Sequence, residues 1–308
     1  MNELLTTELL TTGALSILIV SFGVGIVVGL TGMGGGALMT PALIFLGINP
    51  TTAVANDLVS ASVTKSVGAA VHAREGSPNL QLALWLMIGS VPTAFAGAFV
   101  IDALGGAETQ ANFVRTAIGG ALLLTATTYT LRMYLQLRRN TSAGAPAAAE
   151  IKVRPIPTLL VGVVGGSLVG LTSVGSGTLI MVSMLLIYPA LGAVRLVGTD
   201  LVQAVPLVLA AAVSHVMVSG VDWEILIPLL VGGIPGTFLG ARIANWVSQA
   251  VIRRGIVMVL TLTGLGLLGA EPTAVGIVGA GLLILGPVVW GLVRRHHGLP
   301  AFEHQRQS

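Results

Sequence analysis

Long apolar runs succeed one another down this chain, near 13–30, 51–73, 80–101, 112–136, 157–171, 193–218, 223–243, 252–269 and 273–293, and nothing else constrains its fold so tightly. A hydrocarbon interior offers the backbone no water to bond with, so segments inside it must be helices or closed barrels. These runs lack the alternation of barrel strands, which leaves an all-α, polytopic membrane protein. Composition agrees: of 308 residues, 54% are apolar and 9% charged, with a mean hydropathy of +0.93. No soluble domain of this length shows that balance. The lipid bilayer is the first partner the chain requires. The net charge of +3 comes from scattered loop cations, which report orientation and give no reason to expect nucleic acid.

Two further stretches, 34–47 and 175–188, read as helical but short. At ~1.5 Å per residue they reach about 21 Å, less than a hydrocarbon core of about 30 Å. They are expected to be half-helices, and each carries a glycine-rich block. Gly29-Leu30-Thr31-Gly32-Met33-Gly34-Gly35-Gly36 aligns with Gly170-Leu171-Thr172-Ser173-Val174-Gly175-Ser176-Gly177, an offset of 170 − 29 = 141. Downstream, Asp57 pairs with Asp200, His72 with His215, Pro92 with Pro235 and Gly97 with Gly240, each at 200 − 57 = 143. The chain is therefore read as a first transmembrane repeat over 1–137, a cytoplasmic linker over 138–157 rich in Ala, Pro and charge, and a second repeat with an extra C-terminal helix over 158–308.

Cations set the expected topology. Arg132, Arg138, Arg139, Lys152 and Arg154 place the linker in the cytoplasm, as Arg294 and Arg295 do for the C-terminus. Acidic loops with Asp102, Glu108, Asp222, Glu224 and Glu271 fall on the other side, and the N-terminus lies outside. Arg115 fits this scheme poorly. Each glycine-rich pair must then return to its starting side, from opposite sides in the two halves, so the repeats are inverted. Inverted repeats with broken helices meeting near the midplane are the architecture of secondary transporters.

The blocks GLTGMGGGALMTPALIFLGINPTTAVAND and GLTSVGSGTLIMVSMLLIYPALGAVRLVGTD resemble the glycine-rich repeats of the sulfite exporter TauE/SafE family of membrane proteins, and the likeness covers most of the chain. The resemblance implies an inner-membrane transporter of sulfite, sulfoacetate or a related sulfur-containing or two-carbon anion, with export the expected direction. The second block departs from the first in having Ser173 and Ser176 for Gly32 and Gly35, and Val182 for Pro41.

The residues give their own account of an anion. Backbone N–H groups at Gly32, Gly34, Gly35 and Gly36, with the positive end of the following helix, suit an oxyanion. Thr31 and, from the other block, Thr172, Ser173, Ser176 and Thr178 add hydroxyls around Gly175 and Gly177. The competing reading of these glycines is tight packing of a re-entrant turn. Lys65 would balance the substrate's charge or form a structural ion pair with Asp57, which lies about 80° away around a helix. Asn56, Asp57, Asp200 and Gln203 lie inside apolar segments and are candidates for coupling or gating, together with His72 and His215. The histidines equally suit capping or interfacial roles.

With no cysteine and no spaced histidines, neither a metal site nor a cofactor is expected. Neither Gly-x-Ser-x-Gly, His-Glu-x-x-His nor a Walker A loop occurs, which argues against an intramembrane enzyme or intrinsic ATP hydrolysis. A passive anion channel using the same half-helix dipoles is the main alternative to a secondary transporter. The glycine-rich faces suit packing between subunits as well as within one, so a homo-oligomer is open to this chain.

Overall fold

The computed structural model describes residues 2–31, 35–72, 78–141, 153–175, 177–189, 191, 193–244, 246–247 and 249–296. Among them the chain is helical, in the order α1 (Asn2–Thr31), α2 (Gly36–Phe45), α3 (Pro50–His72), α4 (Leu80–Asp102), α5 (Ala107–Thr141), α6 (Pro155–Thr172), α7 (Leu179–Ile187), α8 (Ala193–Ser219), α9 (Trp223–Ile243), α10 (Gln249–Leu267) and α11 (Pro272–His296). Every segment expected from the apolar pattern is present.

Local chemistry sets the boundaries. Asn79 caps α4 by accepting the Leu82 N–H at 3.1 Å, and Asp222 caps α9 by accepting that of Glu224 at 3.0 Å. Pro155 opens α6 at a position where its missing N–H costs nothing. The helices flanking the expected linker reach into it, α5 as far as Thr141 and α6 from Pro155. The unbroken run Met133 to Asn140 has no Gly or Pro to stop α5 earlier.

The half-helices are short. Ten residues give α2 about 15 Å and nine give α7 about 14 Å at the helical rise, so neither crosses a bilayer alone. Among the described residues, six segments are long and apolar enough to cross: Gly13–Thr31, Leu80–Asp102, Pro155–Thr172, Arg195–Ser219, Trp223–Ile243 and Pro272–His296. α3 is as long as α4 but more polar, because it runs through the interior rather than along lipid. Asn56, Asp57, Ser60 and Ser62 are buried on it beside Val54, Leu58 and Ala61.

Packing between the two glycine-bearing segments of chain is reciprocal. α1 lies chiefly against α9 and α6 against α4, while α3 pairs with α8 and α5 with α10. Glycine makes both outer contacts close. A Cβ on Gly29 would press into the backbone of Thr237 to Ala241, and one on Gly97 into the backbone of Gly170. Hydroxyls bridge the same interfaces, Ser21 donating to the Pro228 carbonyl at 3.3 Å and Thr93 to that of Val163 at 3.2 Å. In lipid this packing replaces the hydrophobic force that holds helices together in water. α11 packs mainly on α10 and leaves Ile277, Leu283, Ile284 and Leu292 exposed, as a lipid-facing helix does.

Candidate functional site

The two glycine blocks meet at the crossing of α2 and the end of α6. α6 stops at Ser173, which takes a left-handed conformation (φ 61°), and Gly175 follows at φ 106°. Gly36, at the start of α2, is buried so closely against the Ser173 carbonyl that no side chain fits there. Gly35 accepts the N–H groups of Leu38 and Met39 and so starts the α2 turn. Gly32, Gly34 and Ser176 lie outside the described residues.

Asp57, on α3, sits at this crossing. It is 2% exposed, and its Oδ2 accepts hydroxyl hydrogens from Thr40 of α2 and from Ser173, the latter at 2.8 Å. One carboxylate oxygen thus ties together α3, a half-helix and the opposite glycine block. Hydrogen bonds to a charged acceptor are the strong kind, and they lower the cost of keeping a carboxylate away from water. Sequence reasoning singled out Asp57 and Ser173 but missed Thr40. Its signal was present: Thr40 is the one hydroxyl residue in the otherwise apolar α2.

Asp200, on α8, is 9% exposed and accepts from Gln203 Nε2 at 3.1 Å. Lys65, half-buried on α3, interacts electrostatically with both Asp57 and Asp200. Arg132 of α5 also acts on Asp200, more weakly than Lys65 does. A half-buried ammonium therefore acts on two buried carboxylates inside the membrane-spanning core. Buried polar atoms without partners include Asn56 Oδ1, on the residue before Asp57, Gln203 Oε1, on the side chain that bonds Asp200, and Thr178 Oγ1 at the head of α7. Such groups are costly unless something else satisfies them.

Other hydroxyls expected at an anion site serve the backbone. Thr31 donates to the carbonyls of Val27 and Val28. Thr172 donates to that of Leu168 at 2.6 Å and accepts the Val174 N–H at 3.1 Å, shaping the turn after α6. Thr178 alone among the described hydroxyls of that block is buried with its oxygen unbonded, next to Gly177 at the head of α7. His215 is 1% exposed and bonds through Nε2 to the Gly170 carbonyl at 2.8 Å, fixing α8 to the end of α6, while Nδ1 has no partner. The His72 side chain is not among those described.

Behind α2 lies an apolar cavity of about 580 Å³ lined by Val27, Leu38, Pro41, Phe45, Ile256 and Val259 among others. With no polar side chain but Thr263 on its wall, it is unsuited to an anion. α2 thus bonds Asp57 through Thr40 and borders this cavity through Leu38, Pro41 and Phe45. Among the described residues, no three His, Asp or Glu side chains gather as metal ligands would.

A family model described as "Sulfite exporter TauE/SafE" matches residues 17–267. The chain is 36% identical over 258 residues to the "Probable membrane transporter protein YjnA" of Bacillus subtilis (strain 168), covering 83% of this chain and 100% of that protein. It is 26% identical over 259 residues to YdhB of the same organism, also named a probable membrane transporter protein, covering 82% and 99%. A probable membrane transporter protein of Xylella fastidiosa (strain 9a5c) is 27% identical over 243 residues, covering 76% and 87%. No solved structure matches. Glycine blocks that meet over a buried, charged crossing, and a family match spanning both, lead to one conclusion: this chain belongs to the sulfite exporter TauE/SafE family of membrane proteins.

Proposed function

We propose that this protein is a secondary transporter that moves a small sulfur-containing anion, such as sulfite or sulfoacetate, across the cell's inner membrane by alternating access. The observation that carries the reading is Lys65, a half-buried cation on α3 whose charge acts on both buried carboxylates, Asp57 and Asp200. Intramembrane ionisable groups are expensive and mark substrate or ion pathways. In this reading the repeats are inverted, the N-terminus faces outward and the C-terminus the cytoplasm, and the anion occupies a midplane site. Lys65, Thr178 and the backbone at Gly35, Gly36 and Gly177 contact it, with Gly32, Gly34 and Ser176 completing the blocks. Export is the direction that the family's description gives, and a membrane potential negative inside drives an anion that way. The exposed apolar faces are met by lipid or by a second copy in a homo-oligomer.

Binding tests the site directly. Sulfite or sulfoacetate is expected to raise the melting temperature of the purified protein in detergent, with the rise lost in Lys65→Ala. Equal shifts in both proteins, or none with either anion in the wild type, would refute the assignment.

A further inference from the structure

Asp57 and Asp200 occupy matched positions, yet their surroundings differ in kind. Asp57 is held by two hydroxyls, from Thr40 and Ser173. The positions matching those donors are Met181 (181 − 40 = 141) and Gly32 (173 − 32 = 141), and neither carries a hydroxyl. Asp200 instead has the amide of Gln203, one turn along its own helix, and the charge of Lys65, with Arg132 acting more weakly from α5. Lys65 in turn has no matching cation, because its counterpart is Val208 (208 − 65 = 143). Duplication has therefore produced one carboxylate fixed by hydrogen bonds and one balanced chiefly by a cation it must share.

Resting on the anion-transport reading above, we propose that Asp200, and not its duplicate Asp57, gives up Lys65 to the transported anion and takes a proton in exchange. An anion docked on the Lys65 ammonium withdraws that charge from Asp200. An ionised carboxylate left in a water-poor site without its cation is costly, and the group neutralises by binding a proton. The proton comes from water on the side where the anion enters. It bonds to a carboxylate oxygen of Asp200, travels with the anion, and returns to water when the anion leaves and the Lys65 charge acts on Asp200 again. Gln203 is placed to accept the new O–H. Its Oε1 is buried and unbonded while Nε2 donates to Asp200, and turning the amide over presents the oxygen to a protonated carboxyl. Asp57 needs no such exchange, since its hydroxyl donors do not leave when the anion arrives.

The test uses full-length protein in proteoliposomes with a trapped pH-sensitive dye and sulfoacetate, whose charges do not change near neutral pH. Wild type is expected to move protons together with sulfoacetate. In Asp200→Asn the proton movement that accompanies each anion is expected to fall to the background of empty vesicles, whereas Asp57→Asn slows flux and keeps the wild-type ratio. Gln203→Met covers the case in which Asp200→Asn does not fold, and is expected to lower that ratio. Wild-type sulfoacetate flux without protons, or an unchanged ratio in Asp200→Asn, overturns the proposal alone. Wild-type flux no greater than in empty vesicles for every anion tried overturns the transport reading and this inference with it.

Discussion

Ser173 donates its hydroxyl hydrogen to Asp57 Oδ2 across 2.8 Å, joining residues 116 positions apart in the buried centre of the molecule. The bond links α3 to the glycine block at the end of α6, and the carboxylate oxygen shared with Thr40 adds to the direct packing of Gly36 on the Ser173 carbonyl.

Removing that donor has a measurable cost. Ser173→Ala is expected to destabilise the protein by about 1.5–3 kcal/mol, the usual range for a hydrogen bond to a charged group. Thermal unfolding in detergent checks it. Thr40→Val is expected to behave alike, because its hydroxyl meets the same oxygen.

The close helix crossings predict opposite outcomes at two glycines. A Cβ on Gly97 would run into the backbone of Gly170, so Gly97→Ala is expected to cost about 1–3 kcal/mol through overpacking. Gly281 lies in α11 with nothing within 4 Å of a Cβ, and there Gly281→Ala is expected to stabilise by about 0.5–1 kcal/mol through helix propensity. Melting temperatures of the two variants should move in opposite directions.

Much of this architecture was legible in the sequence. Apolar runs mark the eleven helices of the described residues because lipid leaves the chain few alternatives, and glycine-rich interruptions mark where α2 and α7 start. The matched glycines also foretold close packing, although not that α1 would lie on α9 and α6 on α4. Pairings of that kind depend on shape between distant segments, which leaves no period in the chain. The same holds at the site. Asp57 and Lys65 stand out as ionisable groups among apolar residues, whereas Thr40 looks like any small helix residue until the fold brings it to Asp57. Thr172 and Thr178 look equally suited to an anion. Only the turn after α6 shows that Thr172 is engaged with the backbone and Thr178 is not.

A second buried cluster predicts a structural effect away from the site. Tyr188, 4% exposed, accepts the Arg154 N–H at 2.8 Å and shares a 2.6 Å hydrogen bond with Thr158, closing the end of α7 against the start of α6. Tyr188→Phe removes the acceptor of the Arg154 N–H, while Thr158 keeps its bond to the Arg154 carbonyl. A loss of about 1–3 kcal/mol is expected, read as a lower melting temperature with anion binding retained.

On α3, Lys65→Ala is expected to weaken sulfite or sulfoacetate binding by at least about tenfold, equivalent to ~1.4 kcal/mol. Lys65→Arg keeps the charge and should restore part of it, although a planar guanidinium does not reproduce a compact ammonium. Titration of anion affinity for the three proteins checks the order.

The most direct measurement is the initial rate of labelled sulfite and sulfoacetate flux into proteoliposomes over a range of concentrations, for wild type and Lys65→Ala. The account predicts saturable flux of at least one anion by the wild type, stimulated by unlabelled anion on the opposite side and lost in the variant. Flux that rises linearly without saturation or exchange would indicate a passive channel, and flux equal in wild type, variant and empty vesicles would contradict the transport of these anions by this protein.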